Sequence, residues 1–135
     1  MTETTNYYER VLFFDDLRVM EVDFSNFTFQ DSETVDAFYD VIESRIAETG
    51  KKWYFLVNYK NCQILPEAWV AFANRGKKVN LAYSLGTVRF DAQEDTGATI
   101  LEKSKTDEFD PNLFRSRDGA LAQIAAWRDA VETSR

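Results

Sequence analysis

The run Trp53–Asn58, WYFLVN, has no polar side chain before its last position. A short continuous apolar run is typical of a strand that is buried on both faces, because a solvent-facing side would require alternating polar residues. Such strands occur mainly in parallel sheets that helices cover on both sides. The run therefore predicts a central, parallel strand in an α/β protein.

An opening β-hairpin is predicted on the N-terminal side of this run. Residues 9–14 and 17–24 are rich in Val, Leu and Phe, and the two aspartates between them favour a turn. Alternation along the second strand puts Met20, Val22 and Phe24 on one face, which we assign to the core.

Residues 32–49 predict an amphipathic helix between the hairpin and the central strand. Asp31 and Ser32 offer an N-cap, and Gly50 suits the position just beyond the last turn. The apolar residues recur at helical spacing and form one stripe: Val35, Phe38, Tyr39, Ile42 and Ile46.

The rest of the chain alternates between helical and extended patterns. Pro66 favours the first turn of a second helix, and Ser116 favours the cap of the last one. A strand is predicted at 85–90, a helix at 94–105, a short strand at 112–115 and a final helix to about residue 132. The order β-β-α-β-α-β-α-β-α predicts one α/β domain over 1–135, with an ordered core at 7–132 and helices covering a mixed sheet.

Charge and composition exclude several classes of function. Asp and Glu number 23 against 16 Lys and Arg, for a net charge of −7, and an acidic surface repels nucleic-acid backbones and anionic membranes. No apolar run approaches the roughly 20 residues that span a bilayer. We therefore expect a cytoplasmic protein without nucleic-acid partners or membrane insertion.

The sequence contains no histidine. Histidine is the usual acid–base group near neutral pH and the commonest metal ligand, so triads and sites that depend on it are impossible within this chain. The single cysteine, Cys62, cannot form an internal disulfide, and as a nucleophile it would have only Lys60 nearby to lower its pKa. We expect no catalytic residues, no metal and no cofactor.

Three segments resemble the sulfate-transporter and anti-sigma-antagonist (STAS) domain in its SpoIIAA-like branch. They are the hairpin with the helix ending at Gly50, the strand WYFLVN continuing into YKNCQILPEAW, and the terminal LFRSRDGALAQIAAW. The resemblance implies a mixed α/β domain that acts as a regulatory binding module rather than an enzyme.

The resemblance also directs attention to the helix after the central strand. Some members of the family are switched by phosphorylation of a serine at the start of this helix, and here Pro66-Glu67-Ala68-Trp69 occupies that place. The resemblance implies a module without the phosphoacceptor, in which Glu67 is either a fixed negative charge or an ordinary acid that complements the helix dipole. The branch is also likened to SEC14-type lipid-transfer domains, which implies an apolar ligand as the alternative.

Two candidate sites follow from the strand order. Ligands of α/β sheets lie beyond the carboxyl ends of the strands, which favours a partner surface in the segment after the central strand. An ordinary βα connection would carry the same residues. They are Asn58, Tyr59, Lys60, Asn61, Cys62, Glu67 and Trp69. Aromatic residues at element ends favour an apolar pocket, although a packed core would also use them: Phe27, Phe29, Trp69 and Phe72.

Two charged clusters complete the set of candidates. Asp91, Glu94 and Asp95 lack the spacing of a calcium loop and suit a solvated, helix-capping segment. Arg115 and Arg117 flank the start of the final helix, where they would either bind an anion or offset nearby acids.

Three functions remain open from the sequence. The first is a protein-binding or regulatory module, which homodimerisation through sheet edges or exposed aromatics would also fit. The second is a carrier of a small apolar molecule, with a cavity beneath residues 65–73. The third and least favoured is an enzyme that uses two carboxylates, for which no pair stands out.

Overall fold

The computed structural model describes residues 7–92, 94–107 and 112–133. Strands and helices alternate along the chain in the following order: β1 (Val11–Phe14), β2 (Val19–Asp23), β3 (Thr28–Phe29), α1 (Ser32–Thr49), β4 (Trp53–Asn58), β5 (Gln63–Ile64), α2 (Pro66–Tyr83), β6 (Ser84–Phe90), α3 (Glu94–Asp107), β7 (Leu113–Phe114) and α4 (Arg117–Thr133).

The main sheet has five strands in the order β1-β2-β4-β6-β7. Strand β1 is antiparallel to β2, whereas β2, β4, β6 and β7 are parallel to one another, so the sheet is mixed. Strand β4 is the middle strand, and its residues 53–57 are all buried. The predictions of a mixed α/β fold and of a central parallel strand at Trp53–Asn58 are confirmed.

The hairpin is confirmed with shorter strands than the sequence predicts. A 3-10 turn at Asp15–Leu17 separates β1 from β2, and Arg18 adopts a left-handed φ of 58° that ends the turn. Met20, Val22 and Phe24 lie in the core as expected. Val19 and Glu21, on the opposite face, are buried as well, because α4 covers that side.

Helix α1 has the predicted bounds because its caps are local. The Asp31 carboxylate accepts a hydrogen bond from the backbone N–H of Thr34 at 2.9 Å, and this bond lowers the pKa of Asp31. At the other end Gly50 has a φ of 65°, which an L side chain rarely adopts. The predicted apolar stripe is the buried one.

The two faces of the sheet carry separate cores. The larger core lies between the sheet, α1 and α2, and α3 contributes Ile100 to it. The smaller core lies under α4 and includes Tyr54, Leu56, Val88 and Ile124. The helices therefore cover both faces of the sheet, and the larger core lies on the face that α1 and α2 cover.

The structure also contains a second, two-stranded sheet, which the sequence does not predict. Strands β3 and β5 pair in parallel, with Thr28 opposite Gln63 and Phe29 opposite Ile64. Two residues carry too little periodicity to be recognised as a strand, so the sequence indicates only a connection at 25–30. The small sheet holds the chain in position just before α2 begins at Pro66.

Candidate functional site

The loop after β4, which the sequence favours as a partner surface, is partly inside the protein. The side chains of Tyr59 and Cys62 are buried, with 3% and 0% of their surface exposed. Lys60 and Asn61 are exposed and Asn58 is half-buried. Tyr59 and Cys62 therefore have to be removed from the predicted surface, because no partner protein could reach them without unfolding the loop.

Hydrogen bonds hold this loop against the segment after β2. The N–H of Asn26 donates to the carbonyl of Lys60 at 2.8 Å, and the side-chain amide of Asn61 donates to that of Asn26 at 3.0 Å. Within the loop, the Lys60 N–H donates to the Asn58 side chain at 2.9 Å. Asparagines that bond the nearby backbone are typical of turns, so this loop has a structural task.

The thiol of Cys62 is not a nucleophile at neutral pH. Burial raises the pKa of Cys62 to about 12, and the Arg10 cation only partly opposes this effect. The thiolate is the reactive form, so the neutral thiol behaves as a small apolar group of the core.

Glu67 and Trp69 lie in the first turns of α2 and point to different surroundings. Glu67 is exposed, as the sequence predicts for an acid at a helix N-terminus. Trp69 is half-buried and packs edge-on against Phe72, with ring centroids 5.7 Å apart. Only Trp69 of these two lines the cavity described next.

A cavity of about 420 Å³ lies between α2 and the sheet. Trp69 and Phe72 belong to its lining, as predicted, but the predicted Phe27 and Phe29 do not. Phe29 is fully buried, within 6 Å of the rings of Phe24, Phe38 and Phe72. These two phenylalanines are packing residues, and the cavity runs from Trp69 along α2 toward its C-terminus, beyond the expected span of 65–73.

The floor of the cavity is apolar and buried. Strands β2 and β4 contribute aliphatic and aromatic side chains, and α1 adds two more: Met20, Val22, Phe55, Val57, Tyr39 and Ile42. The rim includes the exposed side chains Lys77, Leu81 and Leu85. The gradient from buried floor to exposed rim shows that the cavity opens to solvent along α2 and the start of β6.

One end of the cavity is polar because of the alternation along β6. Val88 and Phe90 point to the α4 core, so Thr87 and Arg89 point to the cavity. The guanidinium of Arg89 hydrogen-bonds the Tyr59 hydroxyl, yet burial dominates and raises the pKa of Tyr59 to about 12. Tyr59 is therefore a neutral phenol beside a cation.

Amide and hydroxyl groups extend this polar end. The Asn112 amide donates to the carbonyl of Thr87 at 3.0 Å, and the Thr87 hydroxyl donates to the Asn80 side chain. The Asn80 amide donates in turn to the carbonyl of Gly76 at 2.7 Å. The network fixes the positions of these side chains around the cavity entrance.

The charge of the lining differs from that of the whole chain. Among the described residues of the lining, two are basic, Lys77 and Arg89, and none is acidic. The chain as a whole has 23 acidic and 16 basic residues. Sequence reasoning did not single out Arg89, although a cation at an inward position of the strand SLGTVRF was a usable signal.

The remaining charged candidates have structural partners or lie elsewhere. Arg117 holds Glu21 through two nitrogens, with Nη2 to Oε1 at 2.8 Å, and this pair accounts for the charge at the start of α4. Asp91 is exposed, and the side chains of Glu94 and Asp95 lie outside the described residues. Within the described residues, no group of three or more acidic or cysteine side chains is placed to hold a metal ion.

The helices described here include none with the length and apolar content needed to cross a membrane. Comparison with known proteins found no matching family model, no similar curated protein and no similar solved structure.

Proposed function

We propose that this chain is a non-enzymatic, SpoIIAA-like (STAS-type) module that binds a small molecule with an apolar part between α2 and the sheet. The observation that carries the proposal is the cavity of about 420 Å³ with a buried apolar floor. Ligand pockets are typically about 300–1,000 Å³, mostly apolar, with a few placed polar groups.

The geometry favours this function over a protein-binding surface at 58–67. Tyr59 and Cys62 are buried, and hydrogen bonds tie the loop to Asn26. Glu67, Lys60 and Asn61 remain accessible, but three separate polar side chains lack the apolar centre of a typical interface.

A non-catalytic role agrees with the chemistry of the site. The chain has no histidine, and the Cys62 thiol and Tyr59 phenol are both held neutral by burial. The hairpin, the helix that ends at Gly50 and the central strand are the features that support the SpoIIAA-like assignment.

A neutral fluorescent probe tests the proposal directly. N-phenyl-1-naphthylamine fluoresces when it leaves water, and we expect saturable binding to the native chain with one site. Ala73 is half-buried in the lining, so Ala73→Trp should fill the cavity and abolish the signal. Ala82 lies on the exposed side of α2, and Ala82→Trp is the matched control that should bind as the wild type does.

Two results would overturn the proposal. One is the absence of saturable probe binding to the folded wild-type chain, and the other is equal binding by the Ala73→Trp variant. If Ala73→Trp fails to fold by circular dichroism, Ala73→Leu replaces it, with a weaker signal expected than for Ala82→Leu.

A further inference from the structure

We infer that the ligand is an organic carboxylate with an apolar tail, whose head group lies at Arg89 and whose tail lies along the floor beneath α2. The inference rests on the proposed function and adds the chemical class of the ligand. It starts from the position of Arg89, which lies in the second-last place of β6, opposite Val57 of the central strand.

Arg89 is half-buried among apolar side chains and belongs to the cavity lining. Its neighbours on the same face are Val57 and Phe55, which are buried members of the larger core. The planar guanidinium offers a fork of N–H donors that matches the two oxygens of a carboxylate.

Tyr59 adds a second donor to this head-group site. Its hydroxyl oxygen accepts from Arg89, and its own proton remains on the oxygen because burial raises the pKa to about 12. A neutral phenol next to a guanidinium can donate to an anion without adding negative charge to the site. The Asn112 and Asn80 amides, which donate to the carbonyls of Thr87 and Gly76, extend this polar end.

Lys77 brings a second positive charge to the entrance. It lies in α2 one turn before Asn80, its side chain is exposed, and it belongs to the lining. A positive entrance on a chain with a net charge of −7 favours entry of an anion over a cation at this point. The apolar floor separately favours a tail without polar groups.

Matched ligands that differ only in the head group test the inference. Decanoate, decanol and decylamine, each below its aggregation concentration, are compared for displacement of N-phenyl-1-naphthylamine from the wild-type chain. We expect decanoate to displace it at a concentration at least about tenfold lower than decanol, as for a charge-assisted bidentate bond. Decylamine should be the weakest of the three.

Variants assign the preference to Arg89. Arg89→Met should weaken decanoate by about tenfold or more and leave decanol within about threefold. Tyr59→Phe should weaken only decanoate, by a few-fold, because the ring stays and the hydroxyl is lost. Lys78→Met is the matched control, since Lys78 is exposed in α2, pairs with Glu43 and is outside the lining.

The outcomes separate this inference from the proposed function. Equal displacement by decanoate and decanol, or an unchanged preference in Arg89→Met, overturns the carboxylate assignment while probe binding still supports the cavity. Decyl phosphate binding more than about tenfold tighter than decanoate also overturns it. If Arg89→Met does not fold, Arg89→Lys is used, and it should retain the charge but lose most of the preference because the fork is gone.

Discussion

The ion pair between Glu21 and Arg117 is the clearest case in which one residue depends on a distant one. Glu21 lies on β2 and is 8% exposed, whereas Arg117 begins α4. Both carboxylate oxygens accept from the guanidinium, and these hydrogen bonds raise the pKa of Arg117. The pair links the start of α4 to the sheet.

Removal of Arg117 should expose this dependence. Arg117→Ala leaves a nearly buried carboxylate without its partner, so the free energy of unfolding should fall by about 1–3 kcal/mol. Arg115→Ala, two positions away and exposed, removes the same charge and should change it by less than about 0.5 kcal/mol. Urea unfolding measures the free energy of unfolding of both variants. Equal losses for Arg117→Ala and Arg115→Ala would show that only the net charge matters.

At the scale of elements, Gly86 decides how closely α4 approaches the sheet. A Cβ built on Gly86 would lie 2.7 Å from the Trp127 ring, closer than real atoms approach. Trp127 in turn stacks on Tyr54 of the central strand, with ring centroids 6.2 Å apart. The absence of a side chain on β6 therefore lets a large aromatic residue pack over the sheet.

Gly86→Ala should accordingly destabilise the fold by about 1–3 kcal/mol through overpacking. The loss should be smaller when it is measured in a Trp127→Leu background, because the clashing ring is gone. A Cβ built on Gly97 of α3 would lie 3.8 Å from the Ala92 Cβ, which is an ordinary contact distance. The control Gly97→Ala should therefore be neutral or stabilising by up to about 1 kcal/mol. A loss in Gly86→Ala that persists fully without Trp127 would contradict this account.

For the whole molecule, we expect three buried acids to lower the stability at high pH. Burial raises the pKa of Tyr59 and of Cys62 to about 12 and also raises that of Tyr39. In the unfolded chain these groups ionise near their ordinary pKa values of about 8.5–10. Between those pH values the unfolded state binds fewer protons, so stability falls as the pH rises.

The melting temperature should therefore decline steadily between about pH 9 and pH 12, with no contribution from these groups below about pH 8. Cys62→Ala removes one of the three acids, so its melting temperature should decline less steeply over the same range when compared with its own value at pH 7. Identical slopes for the variant and the wild type would exclude Cys62 as a contributor.

Self-association and the regulatory role stay predictions.

Several features of the fold followed directly from local chemistry. The bounds of α1 were predictable because its cap at Asp31 and its left-handed Gly50 act within a few residues. Strand β4 was predictable because six residues without solvent-facing alternation are typical of an interior strand. The hairpin strands were predicted too long, since Arg18 turns the chain by a conformation that no pattern signals.

The sequence by itself thus determined the class of fold, the central strand and the caps of α1, because each depends on neighbours in the chain, and its composition determined the lack of histidine. Only the tertiary structure decided that Tyr59 and Cys62 are buried, that Phe29 packs away from the cavity, and that Arg89 faces it. Those outcomes depend on contacts between side chains that are distant in sequence, such as Phe29 with Phe72. Periodicity along one segment cannot report such contacts.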